Sequence, residues 1–133
     1  MISLKARIGT LYTEDEALKV SGINPELFPD KVRHRTVLGL KDDKGNLVYP
    51  AFQFDESGAV AENISTIYDE LLEGFNGEEW AVANWLAEPY DFDLSRTRIE
   101  VLRNPKDANR IILQAVRLHG ILHEKKNQIR RTH

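Results

Sequence analysis

Between Thr13 and Arg35 the apolar residues fall in two short runs separated by Ser21-Gly22. Thr13 precedes Glu16 by three residues, the spacing at which a helix start and its side chains cap each other reciprocally, so a helix is predicted from this point. Ala17, Leu18 and Val20 supply its inner face. Gly22 ends it, because glycine enters the left-handed conformation of a helix C-terminus without a Cβ penalty. Asn24-Pro25 reads as a second start, with proline at the first helical position, where its missing N–H is not needed. The second helix is predicted over about residues 25–35, with Leu27, Phe28 and Val32 turned inward. Helix, glycine turn and helix together outline a helix-turn-helix.

The pattern then changes to strands. Val37, Leu38 and Leu40 predict one, Leu47 to Tyr49 another, and Asp42 to Asn46 with Gly45 is the turn between them. A hairpin placed after a helix-turn-helix is a wing. Pro50 has no N–H to give a ladder, so the second strand is expected to lie at an edge or to end there. Beyond a loop at residues 55–60, helical spacing returns at Ile64, Ile67, Tyr68, Leu71 and Leu72. It recurs through Trp80, Val82, Ala83, Trp85 and Leu86, stopped by Pro89, and in a shorter piece at Ile99, Val101 and Leu102. A last long helix is predicted from Asn104-Pro105 through Val116 and Leu118, with the polar end KKNQIRRTH fraying from it. The fold class expected is mainly α. A winged helix-turn-helix occupies residues 1–54 and a helical partner-binding domain residues 55–133.

Charge divides the chain differently from hydrophobicity. The net charge of −3 conceals twelve acidic against three basic residues in 55–104, and seven basic against two acidic in 105–133. The middle repels phosphate and the end attracts it, so the two segments are expected to meet different surfaces. With no cysteine, disulfides, thiolate metal sites and thiol nucleophiles are excluded. No apolar run reaches the roughly 20 residues a membrane helix needs, and the N-terminal stretch lacks a long apolar segment with a cleavage site. A cytoplasmic location is expected.

Few residues form a catalytic pattern. His119 and His123 stand four apart, a spacing that can hold a metal, but no third ligand stands at a supporting position, so both read as solvated helix-surface residues and no metal or cofactor is expected. Glu88, Asp91 and Asp93 lack the alternating ligands and glycine of a calcium loop; a small hydrolase using this acidic loop is the weakest functional class. There is no phosphate-cradling glycine loop and no nucleophile elbow. Lys31, Arg33, His34 and Arg35, with Lys41 and Lys44 on the wing, are the side chains suited to DNA. Against them stand Glu26 and Asp30, which repel phosphate, and Pro29, which breaks the predicted second helix.

The hairpin ends in Tyr49, Pro50, Ala51, Phe52, Gln53 and Phe54. This aromatic-Pro-x-aromatic-Gln-Phe motif follows a short excisionase-like helix-turn-helix. It precedes IYDELLEGF and the tryptophan-bearing segment WAVANWLAEPYDFDLSRTRIEVLRN. In that order the chain resembles antitoxins of the Xre/MbcA/ParS type over about residues 11–118. Arg98 stands where the family often has proline, and KKNQIRRTH extends beyond the family's usual end. The resemblance implies a protein without catalytic activity that occludes a NAD-consuming toxin of the RES class and represses its own operon. A hetero-oligomer with the toxin, or a homodimer, is the assembly it implies. The toxin-binding residues expected on that basis are Arg110, Arg117, Ile121, Leu122, Lys125, Lys126, Arg130 and Arg131. A stand-alone excisionase-like or phage-type DNA-binding regulator is the alternative. The motif itself reads as a hinge: its aromatics enter the packing on both sides, and Gln53 satisfies backbone groups at the junction.

Overall fold

The computed structural model describes residues 7–131, with side chains as far as Lys126. Strand β1 (Leu11–Tyr12) leads into α1 (Glu14–Ser21) and α2 (Phe28–Arg33). Strands β2 (Leu40–Lys41) and β3 (Leu47–Pro50) follow, then a single 3-10 turn at Ala51–Gln53. The second half holds α3 (Ile64–Gly74), α4 (Glu79–Ala87), β4 (Pro89–Tyr90), β5 (Asp93–Thr97), α5 (Arg98–Arg103) and α6 (Ala108–Arg131). The described residues are therefore mostly helical, with two small antiparallel sheets among them. Among the described residues no helix is long and apolar enough to cross a membrane.

Local signals act as their chemistry requires. Thr13 and Glu16 form the reciprocal cap at the start of α1, with the Thr13 N–H donating to Glu16 Oε1 at 2.9 Å, and Gly22 ends the helix at φ 68°. The hairpin turn closes through Asp42 N–H to Asn46 O at 2.8 Å. A second reciprocal cap, Thr97 with Glu100, starts α5 directly out of β5.

Other expectations are corrected. The second helix begins at Phe28, not Pro25: Asn24 makes a side-chain turn to the Glu26 N–H at 2.9 Å, and the chain needs three more residues before it coils. Pro29 consequently sits in the first helical turn, where no donor is lost, and breaks nothing. Leu27, expected inward, is 53% exposed, while Phe28 is fully buried. The first hairpin strand is confined to Leu40–Lys41. Strand β3 does end at Pro50, but it is the centre of the sheet β1-β3-β2, because Leu11 pairs with Pro50 and Tyr12 with Tyr49. The segment before Arg98 is the strand β5 rather than part of a helix, and the basic end continues α6 to Arg131 instead of leaving it.

Two apolar clusters hold these elements together. The smaller joins Ala17, Phe28, Val37, Tyr49 and Phe54, with the Phe28 and Tyr49 rings edge to face at 5.1 Å. The larger takes Ile8, Leu38 and Leu40 from the first half together with Ile67, Leu71, Leu86 and Ile111 from the second. Residue 54 therefore lies inside continuous packing. Phe52 packs on the larger cluster, whereas Tyr49 and Phe54 belong to the smaller, so the motif's aromatics do divide between the two. Gln53 is fully buried at the seam. It accepts from the Leu38 N–H at 2.8 Å and donates to Leu38 O at 2.9 Å and Pro50 O at 3.1 Å. Helix α6 lies along α3, and Gly74 permits the close approach: a Cβ there would stand 3.2 Å from Leu122 Cδ1.

Candidate docking groove

The residues suited to DNA separate when the chain folds. Arg33, Arg35 and Lys41 line one cleft of about 250 Å³ between α2 and the hairpin, while Lys31 borders a different cavity beside the loop at residues 58–65. His34 terminates α2, and Lys44 lies in the exposed hairpin turn. Convergence of three cations favours an anion, but both arginines already face an acid. Arg33 pairs with Asp30, and Arg35 pairs with Asp69 at 2.6 Å while lying 5.2 Å from the centre of the Tyr68 ring. Glu79 completes the cleft. Burial, then the charge of Glu79 and a hydrogen bond to it, push the Tyr68 phenol well up, so it stays neutral. The cleft is close to electroneutral, and a phosphate entering it would have to displace carboxylates already in place.

The acidic loop is similarly committed. Hydrogen bonds from Ser95 and Arg96 hold the Asp93 carboxyl below its ordinary range. Glu88 lies 3.6 Å from Arg98 and 3.7 Å from Arg7, and Asp91 accepts from Arg98 at 3.1 Å. Glu88 and Asp91 thus share the Arg98 guanidinium while Asp93 pairs with Arg96, so each carboxylate already faces a cation. His119 is not a free surface residue: its Nδ1 meets Glu70 of α3 at 2.9 Å, its Nε2 lies 3.9 Å from Glu73, and the His123 ring stands edge-on at 6.5 Å. The two carboxylates approach opposite nitrogens of one ring, so they do not converge on a common point. Among the described residues no group of three or more such side chains is placed to hold a metal ion.

The residues expected at the toxin interface divide along α6. Arg110 is exposed, 4.0 Å from Asp107. Leu122 is half-buried against Gly74, and Lys126 donates to Glu73 O at 3.2 Å, so both act in packing α6 on α3. Lys125 is exposed. The side chains of Arg130 and Arg131 lie outside the described residues.

Arg117 and Ile121 enter a groove of about 290 Å³ between α6 and the turn joining β4 to β5. Its floor is the Trp85 indole with the Arg98 guanidinium stacked 4.5 Å from the ring centre. Arg98 is held by donation to Trp85 O at 3.0 Å, Asp91 at 3.1 Å and Gln114 at 3.3 Å. Gln114, Arg117 and Ile121 recur at i, i+3 and i+7 and so share one face of the helix. The opposite rim is Phe92, 80% exposed, and Leu94 follows it in β5 at 74%. Ile121 is itself 52% exposed. Two large apolar side chains facing water across one groove are the kind of surface that marks a contact site. Sequence reading missed Phe92 and Leu94; the available signal was their alternation with Asp91, Asp93 and Ser95 across the turn and the start of β5. The chain matches no known family model, no characterised protein and no solved structure.

Proposed function

We propose that this protein is the antitoxin of a type II toxin–antitoxin pair, a binding protein whose C-terminal half docks and neutralises a RES-type toxin. The observation that carries the docking role is the groove rimmed by Phe92 and Ile121, an exposed apolar contact surface on a scaffold whose other large apolar side chains mostly pack inward. The class of partner rests on the resemblance of the hinge motif and the segments that follow it. Expression of the full chain should restore growth to cells producing the RES-type toxin encoded beside it, and the two proteins should co-purify. The double variant Phe92→Asp, Ile121→Asp should fold normally, since both positions are exposed, yet bind at least about thirtyfold more weakly, as expected for two lost anchors. Deleting residues 124–133 separates the basic end from the groove: retained protection assigns the inhibitory contact to the groove. Absence of a complex with the unaltered chain would overturn the reading.

A second reading, DNA binding by the winged helix-turn-helix with autorepression or as the protein's main role, rests on Arg33, Arg35 and Lys41 lining one cleft and needs phosphate to displace Asp30 and Asp69 from the two arginines. It requires that Arg33→Ala with Arg35→Ala weaken binding to the promoter DNA of its own operon and flatten its dependence on salt by about two counterions. An unchanged salt slope excludes that face.

A further inference from the structure

We infer that the groove between the β4–β5 turn and α6 closes on a second copy of this chain, giving a two-fold dimer in the free protein. The inference goes beyond the antitoxin reading and needs no toxin for its test. One wall of the groove is the turn, which presents Asp91 and Phe92; the other is α6, which presents Arg117 and Ile121. Each wall thus carries one large apolar side chain open to water and one charge, and the two charges are opposite. The Asp91 side chain is 61% exposed even though it accepts from Arg98. Arg117 is exposed and has no hydrogen-bond or ion-pair partner among the described residues.

A two-fold axis running along the groove sets the turn wall of each copy on the helix wall of the other. Phe92 then meets Ile121 of the second copy and Asp91 meets its Arg117, each contact occurring twice. The wider field agrees with this arrangement. The turn belongs to residues 55–104, with twelve acidic against three basic groups, and α6 to residues 105–133, with seven basic against two acidic. Turn on helix therefore brings acidic surface over basic surface in both directions. Occupants of a single sign fit less well: a phosphate or an acidic peptide meets Asp91 at the rim, and a basic peptide meets Arg117. The apolar contact also reaches past the groove, because Leu94 in β5 and Leu113, one helical turn before Arg117, are exposed as well. Toxin and second copy compete for this face, so the free protein keeps its docking surface covered.

Sedimentation velocity of the full chain should show a reversible monomer–dimer equilibrium at micromolar to submillimolar concentration. Phe92→Asp, at an exposed position, should weaken the dimer at least about thirtyfold by setting a charge in the apolar contact. Arg117→Asp makes both walls acidic and should weaken it about tenfold, more strongly at low salt than at high. Asp91→Lys makes both walls basic and should do the same. Mixed in equal amounts, the Arg117→Asp and Asp91→Lys proteins should pair with each other about as tightly as the unaltered chain does with itself, because each wall again faces its opposite. Thermal midpoints report whether each variant is folded; should Asp91→Lys unfold through loss of its bond to Arg98, the Phe92 and Arg117 variants still decide the matter. A chain that stays monomeric at submillimolar concentration would overturn the proposal. So would a dimer indifferent to Phe92→Asp and Arg117→Asp, or a folded mixture that fails to pair. A monomeric chain that captures the toxin retires the dimer and leaves the antitoxin reading standing. A groove-mediated dimer that forms no toxin complex does the reverse.

Discussion

Replacing Gln53 by leucine should destabilise the protein by about 3–5 kcal/mol, a large share of the roughly 5–15 kcal/mol that holds a domain of this size. The side chain is fully buried, and its amide meets the Leu38 N–H, Leu38 O and Pro50 O at 2.8–3.1 Å. Leucine preserves volume but strands those backbone groups in an apolar seam, where each orphan costs about 1–3 kcal/mol. The thermal midpoint should fall by roughly 10–20 °C. Glutamate at the same position makes a sharper case. It keeps an acceptor for the Leu38 N–H, but its second oxygen faces two carbonyls and must carry a proton to fit. Its folded-state pKa would therefore be raised above the ordinary value of about 4.3. Stability tied to a raised carboxyl is present below the unfolded pKa and is lost as pH rises through the folded one. Measured by urea unfolding against the unaltered protein at each pH, Gln53→Glu should be mildest near pH 4 and worst near pH 8. The Gln53→Leu deficit should stay flat across that range. A Glu variant with a flat deficit would mean that the amide does not bridge these carbonyls in solution.

Removal of the Arg98 side chain is expected to cost about 3 kcal/mol. One guanidinium stacks on Trp85 of α4, bonds Trp85 O and Asp91 of the β4–β5 turn, and reaches Gln114 of α6, all from the first residue of α5. The ion pairs contribute the smaller part, because the Asp91 side chain is 61% exposed and its attraction is screened to about 1 kcal/mol or less. The larger part is the stacked plane and the carbonyl bond, with the Arg98 side chain only 10% exposed. Lysine cannot reproduce a planar fork that reaches three directions, so Arg98→Lys should recover less than half of the loss in Arg98→Ala. Asp91→Asn should cost no more than about 1 kcal/mol. An Arg98→Lys protein within 0.5 kcal/mol of the unaltered one would show that charge alone matters there, and that the groove floor is not built as described.

What could be read along the chain was what neighbouring residues settle among themselves. The Thr13–Glu16 cap, the Gly22 stop and the closure of Asp42 to Asn46 are bonds spanning a few residues, and their residue types are sufficient to specify them. The helices of the second half follow from runs long enough to show a 3.6-residue period, and the buried Gln53 from the presence of an amide among aromatics at a strand end. Tertiary structure decided the remainder. Strands β1 and β4 are two residues long, too short for any period, and exist only because β3 and β5 lie beside them. Pro50 became the end of a central strand because Leu11, far away in sequence, came to pair with it. Pro29 came to lie in a first helical turn because the turn after Asn24 delayed the coil by three residues. The groove is the clearest case. Phe92 and Leu94 alternate with Asp91, Asp93 and Ser95, and Ile121 sits among apolar neighbours on α6, but neither pattern says which face the fold leaves uncovered. The three side chains were left facing water because Trp85, Arg98 and the inner faces of α3 and α6 had already filled the space beneath them.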